Sequence, residues 1–272
     1  MKLPYADIQG CRSRRLFYED TGGSGPVIVF SHGFLMDQEM FVPQIEMLKS
    51  DYRCISWDQR GHGLTATDRL SPFDFYDSAN DLSDLLDYLK IDRAVLVGMS
   101  QGGFLSLRCA LTNPDVVRAL VLIDTEAGVM SATEIAQNEG MLQMWITQGY
   151  TPALAAGIAA EIIGPGLGVG LWPGAGGWEV KWGKTKFVNL IPCFNALIQR
   201  DDITSVLGAI KRPALVIHGS DDLSVPVSAG QAMATGLNAQ FQLIEGAGHA
   251  SCLTHAVQVD PLIGAFLAGL PA

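Results

Sequence analysis

The chain has 272 residues, 48% of them apolar and 17% charged, with a formal charge of -10 at pH 7. This is enough apolar material for one large core carrying an insertion, and it excludes a disordered chain. The acidic balance argues against nucleic-acid phosphates and anionic membrane surfaces as partners, because like charge repels them.

The opening segment MKLPYADIQGCRSRR has no continuous apolar stretch after its first basic residue, so no secretory leader is expected and a cytoplasmic location is. Two strands are predicted next, over residues 15–19 and 27–31, and a third over 53–57. A helix follows over 76–89, with Asp77 and Ser78 as capping candidates. The pattern then alternates: strand 94–98, helix 101–111, strand 119–123. It resumes with strand 214–218, helix 228–235, strand 240–244 and helix 258–268. Alternation of this kind predicts an α/β fold with a mostly parallel sheet covered by helices.

Between residues 124 and 212 the alternation stops, and this stretch holds four of the five tryptophans, Trp145, Trp172, Trp178 and Trp182. It reads as an insertion over 127–208 that divides a core of 1–126 and 209–272. Its Gly/Pro-rich part, residues 164–177, is expected to be irregular. The uncharged run 162–178 contains Pro165 and Pro173 among its glycines and makes a poor membrane helix, so no membrane span is expected. Cys11, Cys54, Cys109, Cys193 and Cys252 are odd in number and widely spaced, which fits buried thiols better than disulfides or a zinc site.

The strongest chemical signal is Gly98-Met99-Ser100-Gln101-Gly102, placed between a predicted strand and a predicted helix. A serine at such a turn has a strained backbone, and small residues two before and two after let strand and helix pass closely. The amides opening the helix at Gln101 favour developing negative charge. His249, in a glycine-rich loop after the last predicted strand, is the candidate base. Asp222, following strand 214–218, is the candidate acid, with Asp221 and Asp124 as competitors. His62, His218 and His255 read as structural histidines.

Together with His32-Gly33-Phe34, Asp58-Gln59-Arg60-Gly61-His62-Gly63, Gly219-Ser220-Asp221-Asp222 and Gly248-His249, this elbow resembles the α/β-hydrolase superfamily along nearly the whole chain. The resemblance implies a mostly parallel eight-stranded sheet flanked by helices, with a cap inserted after the sixth strand. It also implies a Ser100, Asp222, His249 triad and an oxyanion hole from the backbone N–H groups of Phe34 and Gln101. Haloalkane dehalogenases and epoxide hydrolases resemble the chain but place aspartate where Ser100 stands. Capped serine esterases and lactonases fit better, so a small-to-medium carboxylic ester or lactone with an apolar tail is expected, N-acyl homoserine lactones among the candidates. Cofactor-free perhydrolysis, carbon–carbon bond hydrolysis and a non-catalytic ligand-binding role are the alternatives. Trp145, Met144 and Trp182 are the cap residues singled out for substrate binding; Met141 shares the helix face of Met144 and Trp145, and Trp178 and Trp182 repeat the four-residue spacing. No cofactor or metal is expected: the sequence has no HExxH, clustered cysteines, phosphate loop or GxGxxG after a strand.

Overall fold

Short aliphatic runs bounded by turn residues form the sheet of the computed structural model, which describes residues 5–8, 14–65, 70–164, 177–185 and 187–271. The strands are β1 (Tyr5–Ile8), β2 (Arg14–Asp20), β3 (Val27–Ser31), β4 (Arg53–Trp57), β5 (Ala94–Met99), β6 (Val117–Ile123), β7 (Ala214–Gly219) and β8 (Gln240–Ile244). They make one eight-stranded sheet in the order β1-β2-β4-β3-β5-β6-β7-β8. β1 and β2 run antiparallel to their neighbours, and the remaining pairs are parallel. The mostly parallel sheet is as expected. β1 is additional to the seven strands read from pattern.

Both faces of the sheet are buried, which is why the central strands are continuously apolar rather than alternating. Val29, Ile55, Trp57, Leu96, Leu120 and Val216 point to one face, packed by α2 (Phe75–Tyr88), α3 (Gln101–Thr112) and α8 (Val227–Leu237). Ile28, Phe30, Val95, Val97, Val121 and Ile217 point to the other, packed by α1 (Val42–Leu48) and α10 (Ala256–Ala268). A short α9 (Ser251–Thr254) precedes α10. Burying each such side chain contributes roughly 1.5–3 kcal/mol. The cap of α2 differs from expectation. Asp74 takes the N-cap and accepts from Asp77 N at 2.9 Å, while Asp77 returns a bond to the Asp74 amide, so Asp77 is the third residue of a capping box.

The insertion after β6 contains α4 (Ala132–Gln148), α5 (Pro152–Ile162), α6 (Gly177–Lys184) and α7 (Phe187–Ile198). Residues 165–176, most of the segment expected to be irregular, lie outside the described residues, as does Cys11. The other four cysteines are free and buried. No helix among the described residues is long and apolar enough to cross a membrane.

Strand order places the site. From β3 the chain steps outward to β4 and then returns to β5 on the other side, so the carboxyl ends of β3 and β5 flank a crevice where the connections diverge. The loop beginning at His32 and the turn at Ser100 both open there.

Candidate active site

Ser100 sits between β5 and α3 with φ 51° and ψ -118°, a left-handed backbone that non-glycine residues rarely adopt. The surroundings hold it there. Its amide donates to Ile123 O at 3.0 Å, and its carbonyl accepts from Gly103 N, Phe104 N and Thr125 Oγ1. Close packing requires the flanking glycines: a Cβ on Gly98 would lie 2.3 Å from Gly102 O, and one on Gly102 would lie 1.9 Å from Ser31 O.

The loop after β7 and the loop after β8 bring a carboxylate and an imidazole together. Asp222 has a fully buried side chain, and its Oδ1 accepts the amides of Ser224 (2.8 Å) and Val225 (2.9 Å). Its Oδ2 lies 2.9 Å from His249 Nδ1, which places the proton on Nδ1 and leaves Nε2 as the basic nitrogen. Burial works against the Asp222 anion, but His249, His218 and the loop amides outweigh it and hold its pKa below the usual carboxylate range. Burial also disfavours the His249 imidazolium; Asp222, with Asp124 behind it, outweighs this and raises the pKa.

The competing carboxylates are engaged elsewhere. Asp221 accepts from Ser220 Oγ at the surface. Asp124 is buried with its oxygens on Gly219 N (2.9 Å) and Ser251 N (2.8 Å), and burial, reinforced by the Asp222 charge, pushes its pKa up to about 6. One ligand atom each from Asp124, His218 and Asp222 lies within 4.8 Å of the others. Every carboxylate oxygen in this group already accepts an N–H, so the group is a hydrogen-bond network.

Gln101 opens α3, where the first amides have no intrahelical acceptor. Phe34 follows β3 and packs its ring against His62 and Phe194. Gln59 ties these two loops together, a role its sequence position does not signal. Its amide donates to His32 Nε2 at 2.9 Å, its side-chain nitrogen donates to His32 O, and its Oε1 accepts from Gln101 Nε2 at 3.1 Å. His32 therefore carries its proton on Nδ1, facing Gly33 O at 2.8 Å.

Above these loops the cap and core enclose a cleft of about 1000 Å³ including its open mouth, whose wall contains both Ser100 and His249. Met141, Trp145, Ile158, Ile162 and Phe194 give it apolar surface. A family model described as "alpha/beta hydrolase fold" matches residues 26–155, from the start of β3 through the serine turn into the cap. A solved hydrolase from Pseudomonas aeruginosa PA01 superposes with TM-score 0.87 at 25% identity, covering 97% of this chain and 98% of that one. The enol-lactonase from Burkholderia xenovorans LB400 superposes with TM-score 0.84 at 25% identity, covering 97% and 100%. The chain has the α/β-hydrolase superfamily fold. A pimeloyl-[acyl-carrier protein] methyl ester esterase of Xanthomonas campestris pv. campestris is 28% identical over 264 residues, 93% of this chain and 99% of its own. Homology thus supports a hydrolase of general ester-cleaving type.

The cap sorts the three residues singled out in sequence. Trp145 lies on the cleft wall. Met144 does not: it is 48% exposed. The wall stripe on α4 is Glu134, Gln137, Asn138, Met141, Leu142 and Trp145, and at 100° per residue Met144 falls about 90° from its centre. Trp182 is buried in packing away from that wall, its indole N–H donating to Leu35 O at 2.9 Å. Beside it, Lys181 pairs with Asp37 and Glu39, so α6 grips the loop that continues from Phe34.

Proposed function

We propose that the protein is a serine hydrolase that cleaves carboxylic esters or lactones through an acyl-enzyme on Ser100. The observation that carries this reading is the 2.9 Å His249 Nδ1 to Asp222 Oδ2 contact, with His249 and Ser100 facing one cleft. His249 Nε2 takes the Ser100 proton as Oγ attacks the carbonyl, and Asp222 steadies the resulting imidazolium. The backbone N–H groups of Phe34 and Gln101 receive the oxyanion; each such donor lowers the barrier by about 3 kcal/mol. His249 then protonates the departing alkoxide. Water, deprotonated by His249, releases the acid and restores Ser100.

The neutral imidazole is the working base, and its pKa is raised. kcat/KM is therefore expected to fall as pH drops through a midpoint above 6.5, which a pH profile checks.

The wall supports an uncharged acyl group with an apolar tail. Its cation, Arg200, is occupied by Glu126, Gly128 O and Leu197 O, and Glu134 and Glu161 add two further carboxylates. Unit charges about 4 Å apart repel by about 4 kcal/mol at a surface-like dielectric of about 20. A p-nitrophenyl hexanoate is expected to exceed the adipate half-ester at least ~10-fold in kcat/KM on that ground. Trp145→Ala is expected to raise KM for long acyl tails roughly 10-fold, and Met144→Ala to leave it within about two-fold; steady-state kinetics of both variants check this.

N-Acyl homoserine lactones meet the same description. Hydrolysis of p-nitrophenyl esters from acetate to decanoate, beside a homoserine-lactone series, tests the proposal with Ser100→Ala as control. Turnover lost in the variant supports it, and the chain-length optimum sizes the acyl site. No turnover of any ester or lactone by the folded parent sinks it.

A further inference from the structure

We propose that His218 is a positioning residue for the Asp222–His249 pair, its Nε2–H holding the carboxylate oxygen that His249 also uses. The inference rests on the serine-hydrolase reading. His218 is the penultimate residue of β7 with no exposed surface, and its Nε2 lies 3.0 Å from Val225 O and 3.2 Å from Asp222 Oδ2. A carbonyl can only accept, so Nε2 bears the proton. That assignment turns the N–H dipole toward the carboxylate side of the turn, with Asp222 Oδ2 its second, longer polar contact.

Asp222 is thereby enclosed, with two amides donating to Oδ1, the His249 imidazole bonded to Oδ2 and the His218 Nε2 3.2 Å from the same oxygen. The arrangement clamps Asp222 from both sides. The loop amides fix one oxygen, and His218 fixes the other where His249 needs it. The remaining nitrogen of His218 argues against a packing role alone. Nδ1 is buried without a partner, against Gly230 of α8, where a Cβ would lie 2.5 Å from it. An unpartnered buried nitrogen is a cost to the fold, and an apolar side chain of similar size would avoid it. The donor at Nε2 is what an apolar residue lacks.

The electrostatic consequence has a definite sign. The groups acting on His249 are Asp222, Asp124 directly after β6, His218 and, from α5, Glu161. Withdrawing the His218 donor leaves Asp222 a stronger acceptor for the His249 imidazolium, which moves the acid limb of activity to higher pH.

The test is the rate at which a fluorophosphonate modifies Ser100 across pH, in the parent, Ser100→Ala, His218→Leu and His218→Gln proteins, each checked for folding. His218→Leu is expected to react about 10-fold more slowly, with its acid limb displaced upward. His218→Gln, whose amide nitrogen reaches the same oxygen, is expected to recover most of both. His218→Asn, polar but too short to reach Asp222, is read in the same way as leucine should the leucine variant not fold. Parent-like rate and limb in the donor-less variant, with Ser100→Ala unreactive, overturn the role of His218 alone. Labelling of Ser100→Ala at the parent rate overturns the serine-hydrolase reading and this inference with it.

Discussion

Asp222→Asn is expected to lower kcat about 10⁴-fold and, because its NH₂ also faces the His218 Nε2–H, to cost about 1–3 kcal/mol of stability without unfolding the protein. The reason lies in which oxygen meets which partner. Ser224 N and Val225 N both donate to Oδ1, so the asparagine carbonyl must stay there and its NH₂ must take the place of Oδ2. That NH₂ then faces His249 Nδ1, and only the tautomer with a bare Nδ1 can accept from it. The proton moves to Nε2, and the imidazole can no longer take one from Ser100. Asp124→Asn separates the two carboxylates. Asp124 accepts one amide on each oxygen, so an NH₂ there opposes an N–H donor and costs about 1–3 kcal/mol of stability. The kcat of its folded fraction is expected to stay within about 10-fold of the parent. Steady-state kinetics on both variants decide the assignment, and the reverse ranking would make Asp124 the triad acid.

The second large effect is on the fold. Alanine is favoured over glycine inside a helix by about 1 kcal/mol, so Gly→Ala in α3 or α4 is stabilising on propensity alone. At Gly102 sterics win. A Cβ 1.9 Å from Ser31 O meets backbone of β3, which has no rotamer with which to retreat, so strand and helix must part. Gly102→Ala is expected to destabilise by about 3 kcal/mol or more and to abolish activity, because Ser100 moves with the helix. Gly140, on the exposed side of α4 with nothing within 4 Å of its would-be Cβ, is the control. Gly140→Ala is expected to raise stability by up to about 1 kcal/mol. Urea unfolding of the pair measures both, and equal effects would contradict the close-approach argument.

These two cases mark what sequence makes legible. The strands β3 to β7 are buried on both faces, so each announces itself as an apolar run between turn residues, whereas β8 buries only Ile244. The serine turn is legible for the same reason: strand, glycine spacing and helix are contiguous in the chain. β1 is not, because YADI is four residues at the sheet edge with one buried side chain among its described pattern. α1 is too short, with a proline in its first turn, to show a helical period. Placement of Asp222 beside His249 follows from loops after adjacent strands β7 and β8, and the carboxyl ends of those strands could be inferred from order alone.

What depends on tertiary packing and on loop conformation is not legible in the sequence. Met144 and Trp145 are adjacent in sequence, and only the direction from which the core approaches α4 sends one to the cleft and the other to solvent. Trp178 and Trp182 repeat a four-residue spacing that suits a cleft wall and buried packing equally, and Trp182 takes the second, its indole donating to Leu35 O. Gln59 joins His32, 27 residues before it, to Gln101, 42 residues after it, and His218 meets Asp222, four residues on, only because the turn after β7 folds back over the strand end. No local pattern encodes either contact.

The most direct test of the acyl-enzyme is acid quenching during turnover of p-nitrophenyl acetate, followed by peptide mass analysis. The expected result is one acetyl group on the peptide containing Ser100 in the parent, with none in Ser100→Ala. Turnover by the parent without an adduct at Ser100, or the same adduct and rate in Ser100→Ala, would contradict the assignment of Ser100 as nucleophile.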